Sequence, residues 1–178
     1  MTTAADAAPT PAALPCQREL FELPDDLAYL NCAYMAPQLR EVTAAGVAAV
    51  RRKAAPWTLA PADFFDDLEA ARDLVARLVG GDADGVAVVP SASYGLSLAA
   101  GNLPVAAGEA VVILAEQYPS NVYVWRDAVA RAGGRLVTVA RPSDGDWTPA
   151  VLAAVDEATA VVAVPNCHWT DGGLLDLE

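Results

Sequence analysis

Through the first part of the chain apolar residues recur at helical spacing; after it they gather into short β-branched runs. Leu39, Val42, Gly46 and Val50 stand three or four residues apart. That spacing predicts a helix with Pro37 in its first turn. Arg51, Arg52 and Lys53 fall at its carboxyl end, where the helix dipole favours cations. Pro56 and Pro61 bracket a break. A second helix is predicted beyond it, with Phe64, Leu68, Ala71, Val75 and Leu78 on one face. Asp63, Asp66 and Asp67 lie in its first turn and Gly80-Gly81 at its end.

From Val86 strands and helices alternate. The apolar run Val86–Val89 reads as a buried strand that Pro90 ends. Ser91, Ala92, Ser93, Tyr94 and Gly95 then open a helix carrying Leu96, Leu98, Ala99, Ala100 and Leu103. Ala110–Leu114 is a second strand, followed by a helix through Val122, Trp125, Val129 and Ala130 that Gly133-Gly134 ends. Leu136–Val139 is a third strand. After turns at 141–147, Thr148 and Pro149 read as the N-cap and first position of a helix bearing Leu152 and Val155. Ala160–Val164 is the last strand. The alternation implies an α/β fold: a mostly parallel sheet with helices on both faces, preceded by two helices. The organisation expected is a disordered tail and lead-in over 1–26, a helical segment over 27–81 and the α/β part over 82–178.

Composition narrows the partners. Of 178 residues 54% are hydrophobic and the net charge is −12, so a real core is expected, and binding to nucleic acid or to an anionic membrane is not. No apolar run is long enough to span a bilayer, and the N-terminus lacks the basic stretch of a signal peptide. Cys16, Cys32 and Cys167 are odd in number and form no metal-binding or Cys-x-x-Cys pattern, which suits reduced thiols in a cytoplasm.

In a parallel sheet ligands gather outside the carboxyl ends of the strands. Three predicted strand ends carry chemistry there. Ser91–Gly95 offers backbone amide donors at a helix start, which attract phosphate. Gln117–Asn121 offers an aromatic ring and an amide, and Asn166–Gly172 offers His168, Trp169 and Thr170. A phosphate site, a flat ring and side-chain donors suit a planar phosphorylated cofactor. Each part also has a plain reading. Ser91 or Ser93 is an ordinary cap, Tyr118 a packing aromatic, and His168 an acid–base group or a structural loop residue. Cys167 is a persulfide carrier or, more commonly, a buried inert thiol. The carboxylates of Asp63, Asp66, Asp67 and Glu69 read as helix-start charges, and Trp57, Trp125 and Trp147 as packing residues.

Four segments in order resemble the class V aminotransferase family, pyridoxal-phosphate enzymes of the aspartate-aminotransferase fold that include cysteine desulfurases and kynureninase. They are Tyr29 to Pro37, Ser91 to Ser97, Tyr118-Pro-Ser-Asn-Val-Tyr123 and His168-Trp-Thr-Asp-Gly172. The resemblance covers roughly residues 27–178. It implies pyridoxal 5'-phosphate as cofactor, an amino acid as substrate and a homodimer when full length. It implies that Ser93 and Tyr94 hold the phosphate and that Tyr118 stacks on the pyridine ring. Asn121 would lie near the cofactor, Thr170 at its ring oxygen or phosphate region, and Asn31 at the substrate entrance. The family's pyridine-pairing Asp and Schiff-base Lys come later in its chains. Here Lys53 is the only lysine, so no catalytic residue is assigned. The chain is read as the N-terminal part of such an enzyme, inactive by itself. The alternative is a non-catalytic α/β module that binds a phosphorylated ligand or a protein partner.

Overall fold

A computed structural model describes residues 14–177. Of the tail and lead-in expected over 1–26, residues 1–13 lie outside them. The chain divides into two units, Met1–Pro61 and Ala62–Glu178.

In the first unit a short 3-10 turn, Arg18–Leu20, leads to an isolated antiparallel bridge between Phe21 and Leu39. Arg40 ties this lead-in down by donating to the carbonyls of Phe21 at 2.8 Å and Glu19 at 3.3 Å. Helix α1, Arg40–Lys53, therefore starts later than the Pro37 expected from sequence, because Leu39 is held extended by the bridge. Trp57, read as a packing residue, is 83% exposed.

The turn Pro61–Phe64, which contains Asp63, precedes helix α2, Asp66–Val79, of the second unit. Gly80 ends α2 at φ 68°, a left-handed conformation that suits glycine. The sequence reading grouped α2 with the first helix; its contacts place it in the second unit. Arg72 anchors it, donating to the carbonyls of Val86 at 2.9 Å and Ala83 at 2.7 Å. Val86–Val89, predicted as a strand, has no strand assignment, and the sheet does not include it. A strand needs a hydrogen-bonded neighbour, and among the described residues none pairs with this run. It leads into α3, Ala92–Asn102, whose N-cap Ser91 accepts from the Tyr94 N–H at 3.1 Å.

The sheet follows. Strand β1, Ala110–Leu114, leads to α4, Ser120–Ala132, then to β2, Arg135–Val139. Helix α5, Trp147–Ala154, leads to β3, Thr159–Val162. Both pairings are parallel and the order is β2-β1-β3, with Val112 opposite Val137 and Val162. The ladder runs one bond further than β3, since Ala163 N–H reaches the Val112 carbonyl at 2.9 Å. The cap of α5 differs from expectation. Asp146 accepts from the Thr148 N–H at 3.1 Å, while the Thr148 hydroxyl accepts from Asp176 N–H at 3.0 Å. Asp outcompetes Thr here because its carboxylate lies one position upstream of the first helical residue.

Strand β1 is buried along its whole length, as an all-apolar central strand must be. Val112 and Leu114 face one core with Val139, Trp147, Val151 and Leu175, beneath α5. Val111 and Ile113 face the other with Trp125, Val129 and Ala163, beneath α4, with α3 residues packed against it. Each such fully buried Val, Leu or Ile stabilises the fold by about 1.5–3 kcal/mol. Gly134 allows the close turn into β2, since a Cβ there would stand 2.8 Å from the Glu109 carbonyl oxygen. Among the described residues no helix is long and apolar enough to cross a membrane.

Candidate functional site

Helix α4 starts beyond the carboxyl end of β1, and the start of α3 meets it there. Ser93 Oγ and Ser120 Oγ lie 2.7 Å apart. Beside them is a cleft of about 430 Å³ walled by Ala92, Leu96, Tyr118, Asn121 and the chain from Val161 to Pro165. Its lining is mainly apolar side chains with a few polar groups, the usual character of a small-molecule site. At the start of α3, helix geometry leaves the N–H groups of Ala92 and Ser93 without intrahelical acceptors. The Tyr94 N–H is already bound to Ser91, so from Tyr94 the phenol remains as a donor, on a ring that is half exposed.

Tyr118 lines the cleft and stands edge-on to Trp169, with ring centroids 5.4 Å apart and planes at 83°. Trp169 in turn donates its indole N–H to the Glu116 carbonyl at 2.7 Å. Gln117 turns its side-chain oxygen to the Tyr118 N–H at 3.0 Å, and its buried Nε2 has no partner. A buried donor without an acceptor is costly, and in the wall of a cleft it suits a ligand oxygen.

Asn121 is committed at both ends. Its Nδ2 donates to the Ala163 carbonyl at 2.9 Å and its Oδ1 accepts from Trp125 Nε1 at 2.8 Å. It pins α4 to the end of β3 and forms part of the cleft wall. Thr170 sits in a polar cluster: its hydroxyl accepts from Arg141 Nη2 at 2.8 Å and lies 2.9 Å from His168 Nδ1. His168 is fully buried and stacks on Trp147, with centroids 5.0 Å apart. The Ala115 carbonyl, 3.0 Å from Nε2, can only accept, so Nε2 carries a hydrogen, while Nδ1 faces the Thr170 hydroxyl and, at 3.4 Å, the Asp171 carboxylate. Cys167, by contrast, is exposed rather than buried.

Of the expected residues, Tyr118 and Asn121 line the cleft, Ser93 adjoins it through Ser120, and Thr170 follows Trp169, the ring partner of Tyr118; Tyr94 and Thr170 are not among the lining residues. Asn31 belongs to the first unit, where its carbonyl accepts from Tyr34 and Met35 N–H groups at 3.2 and 3.0 Å.

Sequence reasoning missed Arg141 and Glu116. Arg141 donates to Glu116 Oε2 from Nε at 3.1 Å and Nη2 at 2.5 Å, and pairs with Asp171. That hydrogen bond, and then the charge of the same guanidinium, hold the Glu116 carboxyl below its ordinary range. Glu116 has φ 56°, and among the described residues no other non-glycine has a positive φ. Their signal was position: each follows closely on the carboxyl end of a strand. No group of three or more His, Cys, Asp and Glu among the described residues could hold a metal ion.

The family model described as Aminotransferase class-V matches residues 40–178. An uncharacterized aminotransferase, YcbU of Bacillus subtilis (strain 168), is 25% identical over 152 residues, covering 70% of this chain and 37% of the relative. Two solved structures share the fold. One is a C-DES mutant with glycine covalently linked to the PLP cofactor, with a TM-score of 0.77, 15% identity, and 92% of this chain and 44% of that chain covered. The other is the cysteine desulfurase CsdA (S-sulfonic acid) from Escherichia coli, with a TM-score of 0.68, 17% identity and coverages of 90% and 43%. The chain spans less than half the length of each of these relatives.

Proposed function

Because the chain belongs to the aminotransferase class-V family, we propose that it supplies the phosphate- and ring-binding part of a pyridoxal-phosphate enzyme acting on an amino acid. The observation that carries this reading is the meeting of two helix starts, Ser93 against Ser120, beside the ring of Tyr118 in one cleft.

The residues fit the group. The unpaired N–H groups of Ala92 and Ser93 and the hydroxyls of Ser93 and Ser120 are donors for a phosphate, helped by the positive end of the α3 dipole. Tyr118 gives the flat ring a face or edge to pack on, and Trp169 buttresses it. The unpaired Gln117 Nε2 is a donor for a ring oxygen or a phosphate oxygen. Thr170 lies with Arg141 and His168 behind the Trp169 loop and orders it. Asn121 keeps the floor of the cleft in place. When bound, pyridoxal phosphate supplies an electron sink for bonds to the amino acid's α-carbon. Transamination, desulfuration or another lyase reaction, and kynureninase-like cleavage all draw on that chemistry. Lys53, the one lysine in the sequence, is the last residue of α1 and receives no role in the cleft.

The experiment is a spectroscopic titration of the 178-residue chain with pyridoxal phosphate, with inorganic phosphate as competitor. Saturable binding that phosphate displaces is expected. A flat titration, from a chain shown by circular dichroism to be folded, refutes the reading.

A further inference from the structure

We propose that Arg141 is a positioning residue that sets Trp169 against Tyr118, a residue of the cleft wall. Why that pair matters rests on the cofactor reading above; the geometry that sets it does not.

Arg141 follows β2, yet its guanidinium reaches the loops after both other strands. Nε and Nη2 converge on one oxygen of Glu116, Nη2 also donates to the Thr170 hydroxyl, and Nη1 pairs with Asp171. Its guanidinium carbon also lies 5.5 Å from the centroid of the buried Trp147 ring, which limits its swing. One cation therefore fixes both partners of the next contact. Glu116 presents its carbonyl, from a left-handed backbone that a residue with a Cβ seldom adopts, to the indole N–H of Trp169. Thr170 and Asp171 belong to the same loop as Trp169. The indole, held at the Glu116 carbonyl, stands edge-on to Tyr118. Arg141 does not itself line the cleft, so its influence on a bound ring passes through Glu116, Thr170 and Trp169. A planar fork with several donors does this; an ammonium on a flexible stem serves less well.

The test uses the ¹⁵N-labelled 178-residue chain, with the Trp169 indole resonance assigned from Trp169→Phe. In Arg141→Met that resonance should move toward the value of a solvent-bonded indole, and the Kd for pyridoxal phosphate should rise roughly threefold or more. Arg141→Lys should recover part of both. Glu116→Gln, which keeps the Arg141 contacts to Thr170 and Asp171, should give a smaller shift in the same direction. It carries the test together with Arg141→Lys if Arg141→Met does not fold. An unmoved indole resonance in these variants overturns the proposal, and a moved resonance with unchanged Kd overturns the pair's part in holding the ring. If the wild-type chain binds no pyridoxal phosphate while Arg141→Met still moves the resonance, the cofactor reading falls and Arg141 stands as the residue that sets the pair.

Discussion

Ser93 and Ser120 place their hydroxyl oxygens 2.7 Å apart, one in the first turn of α3 and the other at the start of α4. Only one hydroxyl hydrogen is used between them, so the pair keeps a hydrogen to donate to an anion. Ser93→Ala should weaken binding of both pyridoxal phosphate and inorganic phosphate by about 1 kcal/mol, the worth of a hydrogen bond. Calorimetric titration of the two ligands checks this. Unchanged affinities would place the phosphate elsewhere.

Tyr118 contributes a ring to the cleft and has Trp169 behind it. Tyr118→Ala should weaken pyridoxal phosphate by about 1 kcal/mol while leaving inorganic phosphate affinity unchanged, because stacking and burial are lost and the anion site is not. Tyr118→Phe should retain most of the affinity. Superimposable titration curves for Tyr118→Ala and the wild type would remove the ring from the site.

Asn121 is a structural tie, so its replacement should be felt in stability. Asn121→Asp keeps an acceptor for Trp125 but puts a carboxylate against the Ala163 carbonyl. The expected loss at neutral pH is about 1–3 kcal/mol. Relative to wild type at the same pH, the loss should shrink in acid, where a protonated carboxyl can donate to that carbonyl. Urea denaturation at two pH values measures both, and an equal midpoint for variant and wild type at neutral pH would contradict the assignment.

The Glu116–Arg141 contact makes a prediction about acid. The Glu116 carboxyl is held below its ordinary value by the Arg141 hydrogen bond, and then by its charge. A group whose folded pKa is depressed contributes stability that is present above the unfolded pKa and lost as pH falls through the folded one. The melting temperature of wild type should therefore exceed that of Glu116→Gln at pH 7, and the gap should close below about pH 4. A gap that stays constant through this window would show that the carboxylate charge is not what holds Arg141.

The lysine content allows a chemical test. Lys53 closes α1 in a basic run with Arg51 and Arg52. Borohydride reduction of the 178-residue chain with pyridoxal phosphate should give no stoichiometric labelling of Lys53, and the chain should not turn over an amino acid. Phosphate-sensitive labelling of Lys53, with turnover abolished in Lys53→Ala, would make this lysine catalytic and overturn the assignment.

What could be read without coordinates was whatever depends on local pattern. β1 is an unbroken apolar run and was placed to the residue, and Gly80 and Gly133 end their helices in the left-handed conformation that only glycine adopts at little cost. The loops after β1 and β3 were legible because a parallel sheet puts its chemistry at strand ends, whereas the Ser91–Gly95 turn opens a helix but follows no strand. What failed depends on partners far along the chain. Val86–Val89 has strand composition but no neighbour in the sheet, and Trp57 is a large aromatic with nothing packed over it. The full commitment of Asn121, and the reach of Arg141 to Glu116 and Thr170, join residues distant in sequence and follow no spacing rule.

The parallel order β2-β1-β3 also says how the sheet is put together in time. The central strand is made first during synthesis, and each flank arrives only after a helix has been completed. β2 returns after α4, closing the shorter loop; β3 must wait for α5 as well. Loop closure costs more as the intervening chain lengthens, so β1, α4 and β2 are the natural first cluster. Until β3 docks, the apolar β1 has one bare ladder edge. A ribosome pause or a destabilising substitution between Gly134 and Thr159 would prolong that interval. The strand that becomes best protected in the finished protein is the one most exposed to misassociation while the chain is being made.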